Sequence, residues 1–227
     1  FSMNGTTEDH DPNGYMPGYV IGPGGVLHKE LGGGISAATT AMWTTAFYAG
    51  LEPVEVHAHS IYISRYVPGL EATVAWGGFD MKFRNNTPYG VFIVTSTTDT
   101  SMTVSMYSTK IYTDIKADVG ERYWPQDFDT VYNQAKDCIE QAGGEGFTID
   151  VKRLFYQGND IVKRETFTTT YTPQPMVICG APPKPQPEPS PSPSPSDSGT
   201  TDSGNTDSGN TDSGNTDSGN TDPGNSG

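Results

Sequence analysis

The run Leu31-Gly32-Gly33-Gly34-Ile35-Ser36 opens into the principal helical stretch of this chain, residues 37–49. Ile35, Ala38, Met42, Ala46 and Ala49 recur at spacings of three and four, and Trp43 and Phe47 widen that stripe. Gly50 stands where a C-terminal cap belongs. The intervening threonines are modest helix formers, so packing must hold this helix in place. Almost everything else reads as short strands. Residues 54–64 alternate, with Val54, Val56, Ala58 and Tyr62 on one face and Glu55, His57, His59, Ile61 and Ile63 on the other. Residues 72–76, 79–84, 91–97 and 102–107 are further β runs, and Asn85-Asn86-Thr87-Pro88-Tyr89-Gly90 is a turn between two of them. Residues 1–34 are loop-rich, with turn signals at Asp11-Pro12-Asn13-Gly14 and Gly22-Pro23-Gly24-Gly25, and residues 113–146 are irregular. Residues 147–156 and 161–171 flank Gln157-Gly158-Asn159-Asp160 as a long hairpin. The expected class is α+β: one principal helix packed on a mostly antiparallel sheet, with a C-terminal β-hairpin extension and a disordered tail.

That tail limits where a core can form. Residues 181–196 are a Pro-rich spacer, and from Asp197 the chain runs DSGTT, four copies of DSGNT and a Pro-containing remnant. With nothing apolar to bury, such a segment cannot repay the entropy of folding. Net charge is −8 over residues 1–180 and −6 over the remainder, which argues against nucleic acid and anionic membrane surfaces as partners. No apolar run approaches the ~20 residues of a membrane span. The start at Phe1, without a Met, reads as the inside of a longer protein. Cys138 and Cys179 belong to no CxxC pair and are expected to form a disulfide, which for a loop of this length contributes roughly 4 kcal/mol.

Chemistry concentrates at the helix mouth. Glycines let backbone approach closely, and a helix start presents unpaired N–H groups at the positive end of its dipole. Ser36 at that mouth reads either as an N-cap or as a nucleophile. His57-Ala58-His59-Ser60 supplies a candidate base in His59; the plain alternative is a strand histidine bonded to a carbonyl. His-x-His spacing can grip zinc, but with only His10 and His28 elsewhere no third ligand is apparent, and neither metal nor cofactor is expected. Asp80 reads as a turn or strand-edge carboxylate, or as the group orienting His59. Trp43, Trp76 and Phe79 read as core at helix and strand spacings, the alternative being the lining of a substrate groove.

Gly32-Gly33-Gly34-Ile35-Ser36, Ala49-Gly50-Leu51, His59-Ser60, Tyr66-Val67-Pro68-Gly69, Ala72-Thr73-Val74 and Asp80-Met81-Lys82-Phe83-Arg84-Asn85-Asn86-Thr87 together resemble the VanW domain. That family is named for an accessory protein of vancomycin-resistance clusters in Gram-positive bacteria. The resemblance covers roughly residues 1–110, leaving residues 111–180 as a β extension and residues 181–227 as spacer and repeat tail. It implies an exported cell-envelope domain that takes peptidoglycan or its stem peptides as partner. Some members of the family act as L,D-transpeptidases through a cysteine; the matching position here is Ser36, and the glutamine that often follows is Ala37. Two expectations result: a peptidoglycan-binding domain that has lost the chemistry, or an acyl transferase working through Ser36 and His59.

Overall fold

The structure, a computed structural model, describes residues 1–7 and 14–184. Phe1–Pro183 form one compact unit, and the spacer and repeats beyond residue 184 lie outside the described residues. Segments 1–110 and 111–180 both fall within that unit. The elements are α1 (Asn4–Thr7), β1 (Gly18–Ile21), β2 (Leu27–Glu30), α2 (Ile35–Tyr48), β3 (Glu52–Glu55), β4 (Lys82–Arg84), β5 (Phe92–Thr97) and β6 (Met102–Tyr107). They are followed by β7 (Asp114–Val119), β8 (Tyr123–Gln126), β9 (Thr130–Asn133), β10 (Gly146–Gln157), β11 (Asp160–Tyr171) and β12 (Met176–Cys179). Among the described residues no helix is long and apolar enough to cross a membrane.

The expected class holds in outline: one long helix among mostly antiparallel strands. The strands make several small sheets, however. β1–β2, β3–β4 and β5–β6 are two-stranded and antiparallel, β10 is flanked by β11 and β7 and also pairs β8, and β9–β12 run parallel. Residues 113–146, expected to be irregular, contribute β7, β8 and β9. The strand expected over residues 54–64 stops at Glu55, where the β3–β4 register slips between Pro53 and Glu55. Beyond it the backbone is satisfied piecemeal: Thr73 N–H donates to the His57 carbonyl at 2.8 Å and Thr172 N–H to that of Ser60 at 2.7 Å.

α2 buries Met42, Trp43, Ala46 and Phe47 against Leu51, Leu70, Ala72, Met81, Phe83 and Val151. Its end carries both bonds of a Schellman motif, Gly50 N–H to the Phe47 carbonyl and Leu51 N–H to that of Ala46, with Gly50 at φ +75° as the sequence predicts. The β10–β11 hairpin closes over the helix, and Phe167 meets Trp43 and Phe47 at 6.0 and 5.6 Å between ring centroids. Its two-residue turn, Gly158-Asn159, has Gly158 at φ +62°. The expected disulfide is present: Cys138 and Cys179, with Cα atoms 5.8 Å apart, secure the end of β12.

Candidate functional site

The triglycine does approach backbone closely, and its partner is β1. A Cβ on Gly33 would stand 2.2 Å from the Gly18 carbonyl carbon. Gly32 and Gly34 both take left-handed φ, at +95° and +97°, and Gly34 is the residue preceding the first helical turn. Ser36 is therefore not the N-cap expected from its sequence position; it is the second residue of α2, and its side chain leaves the helix sideways. Its Oγ shares a hydrogen bond with Thr73 Oγ1 at 2.9 Å.

Ser36 belongs to a row. Thr40 Oγ1 donates to the Ala72 carbonyl at 3.0 Å and accepts from the Ala72 N–H at 3.1 Å, and Thr44 Oγ1 donates to the Leu70 carbonyl at 3.3 Å. Residues i, i+4 and i+8 share one helix face, so three hydroxyls run along segment 70–73 and satisfy groups that no strand pairs. Two of the N–H groups at the mouth are occupied as well: Ile35 donates to the Gly32 carbonyl at 3.2 Å and Ala37 to that of Gly34 at 3.0 Å.

His59 lies in the same neighbourhood with different partners. Its side chain is 6% exposed, its ring stacks on Tyr66 at 5.6 Å, and its Nδ1 is 3.5 Å from Glu71 Oε2. Neither of those two buried atoms makes a hydrogen bond. The other Glu71 oxygen accepts from the Tyr171 hydroxyl at 2.6 Å, and that hydroxyl accepts from Gly69 N–H at 2.8 Å. Burial, and then the bond to Glu71, push the Tyr171 phenol far above its ordinary range. Segment 71–73 thus presents Glu71 to His59 and Thr73 to Ser36, and no hydrogen bond links Ser36 to His59 directly. Glu71, Thr73, Tyr66 and Tyr171 are absent from the sequence-level site; a lone acid inside Leu70-Glu71-Ala72 and the Ser36/Thr40/Thr44 spacing were the available signals.

The remaining candidates separate from this cluster. His57, expected on the same strand face as His59, is 46% exposed at its side chain; it pairs with Glu55 at 3.3 Å and lies against the Phe79 ring. The strand that would have aligned the two histidines ends before them. Asp80 holds the N-terminal segment, accepting from Ser2 Oγ at 2.5 Å and Asn4 N–H at 2.9 Å, and does not orient His59. Burial raises its pKa, but these bonds, that from Met81 N–H and the Lys82 charge bring it below the ordinary value. Trp43 is core as expected; Trp76 and Phe79 are 48% and 37% exposed and are not.

Fold and site together define a small α+β domain whose helix is fastened by hydroxyls to an irregular segment, where buried Glu71 meets Tyr171 of β11 and lies beside His59. Residues 1–107 match the family described as VanW like protein. The match ends at the last residue of β6. A similar curated protein is "Uncharacterized protein YoaR" of Bacillus subtilis (strain 168), 31% identical over 87 residues, which are 38% of this chain and 29% of that protein. The chain therefore spans less than a third of that relative's length. No solved structure matches it.

Proposed function

We propose that this is a cell-envelope domain that binds peptidoglycan stem peptides without turning them over. The observation carrying this reading is the Ser36–Thr73 bond within the hydroxyl row: the candidate nucleophile is an attachment point of α2. A serine hydroxyl needs a base in contact and free oxyanion donors. Here its hydrogen bond goes to a threonine, and the Ile35 and Ala37 N–H groups are already used. The disulfide agrees with an oxidising exterior. Purified chain mixed with cell-wall sacculi and soluble muropeptides is expected to be retained on the wall, with no added mass at Ser36 and no new cross-link. Ser36→Ala should be retained equally. Lack of retention overturns the proposal.

One observation favours a second reading, acyl transfer. Burying His59 Nδ1 and Glu71 Oε2 without hydrogen bonds is costly for a purely architectural pair. In that reaction Ser36 Oγ attacks a stem-peptide carbonyl, its proton passes to His59 and then to the leaving amine, and Glu71 orients the imidazole. A covalent adduct at Ser36, lost in both Ser36→Ala and His59→Gln, would put this reading in place of the first.

A further inference from the structure

A cleft of about 450 Å³ lies at the opposite end of α2 from Ser36. Ser36 and Tyr48, the latter at the cleft's edge, are twelve residue steps apart on the helix, about 18 Å along the axis. Four segments build it: residues 48–51 closing α2, residues 86–91, residues 106–112, and the start of β7. Its wall from residue 108 onward lies beyond the stretch matched by the VanW family, so the family region alone does not make this site. Leu51, Met106 and Ile115 give it an apolar lining.

Two aromatic rings at its edge are fixed in advance. Tyr48 stands edge-on to Phe47 at 5.2 Å and 76°, and Tyr112 to Phe155 at 4.8 Å and 61°, and both phenylalanines are fully buried. Asn86, Thr109 and Lys110 add an amide, a hydroxyl and an ammonium beside them. Lys110 and Asp114, one of each sign, are the charged residues of its lining. This combination does not suit a polyanion or an all-apolar ligand. Rigid aromatic faces flanked by neutral donors and acceptors suit a ring with apolar C–H faces and a hydroxyl periphery. We infer that this cleft is a saccharide subsite that takes a neutral, N-acetylated pyranose chain. The acetamido group rests on the peptidoglycan reading above; the cleft's own chemistry asks only for a neutral hydroxyl-rich ring.

The test titrates the full chain with a linear trimer of β-1,4-linked N-acetylglucosamine, followed by calorimetry and by amide chemical shifts. Saturable binding is expected, with shifts clustered at residues 48–51, 86–91 and 108–115. Tyr48→Ala and Asn86→Ala should each weaken it about tenfold, the loss of roughly one stacking or hydrogen-bonding contact. Asn86 is exposed, so its variant reports on binding even if Tyr48→Ala disturbs the fold. Absence of saturable binding, or binding unmoved by Asn86→Ala, overturns the inference. Wall retention measured in parallel separates the two proposals: retention without trimer binding defeats only the subsite, and trimer binding without retention defeats only the stem-peptide reading.

Discussion

Glu71 shows how one residue can join distant parts of this chain. It sits 100 positions before Tyr171 and accepts its hydroxyl in the interior, while Tyr171 in turn takes the Gly69 N–H. Tyr171→Phe would leave that carboxylate oxygen and that N–H without their partner at almost unchanged shape. The expected loss is about 1–3 kcal/mol, read from urea unfolding, with the folded structure retained by circular dichroism. The glycines allow a second comparison. Gly34→Ala meets nothing within 4 Å and bears only the left-handed φ, an expected cost of about 1–2 kcal/mol. Gly33→Ala drives a methyl into the Gly18 backbone and should cost about 3 kcal/mol or more, because backbone cannot swing aside as a side chain does. Equal losses in the two variants would refute the close contact with β1. Ser36 and His59 were legible only as candidates, because a helix mouth and a His-x-His pattern are local signals. Their partners were not, since nothing along the chain says that residues 71 and 73 lie opposite them.

At the scale of elements, α2 and the β10–β11 hairpin were legible because each is specified locally, by spacings of three and four closed with Gly50 and by two long β runs around Gly158-Asn159. β7 carries a fair alternation, Ile115, Ala117 and Val119, yet it pairs β10 from the far side of a long connection, and no turn signal announces that. The strand expected through His57 and His59 failed for a different reason. Pro53 lacks an N–H, the register slips beside it, and the hydroxyl row of α2 then serves segment 70–73 in place of a ladder. The helix and the hairpin are locked by Arg153. Fully buried, it donates to the Phe47 and Leu51 carbonyls at 3.2 and 3.0 Å and to Glu165 from β11, and lies about 5 Å from the Phe47 and Phe155 rings. A guanidinium there adds a second donor to the Phe47 carbonyl at the negative end of α2 and serves the Leu51 carbonyl just beyond it. Arg153→Met should cost about 3 kcal/mol, the low end for a broken buried pair because Glu165 is partly exposed. Hydrogen exchange should show faster opening at the C-terminal turn of α2 than at its start; uniform loss of protection would contradict the local lock.

For the whole compact unit, both pH and redox state should act on stability. The Lys82 ammonium, helped by the Asp80 N–H, holds the half-buried Glu55 carboxyl down at about 2, from an ordinary 4.5. Asp80 is also lowered, and so is Glu165, where bonds from Lys163 and Arg153 outweigh burial. Depressed carboxylates bind fewer protons folded than unfolded, so what they contribute is present above the ordinary carboxylate range and is lost as pH falls from 4.5 toward 2. Thermal melts should be flat near neutrality and drop through that acid window, and added salt should shrink the share from the solvent-accessible Glu55–Lys82 pair. The disulfide acts elsewhere. Cys138–Cys179 spans 41 positions and encloses the entire β10–β11 hairpin, and just inside it the buried Gln141 exchanges backbone bonds with Val177 and reaches Leu27 of β2. Opening it frees the denatured chain and also loosens β12 from β9, but it touches none of the contacts between α2 and Val151 or Phe167. Replacing both cysteines with serine is therefore expected to cost about 2–5 kcal/mol. Exchange protection should fall first in residues 130–133 and 176–179 and persist in α2; melting of α2 together with the β9–β12 pair would mean that the bridge holds the core and not its margin.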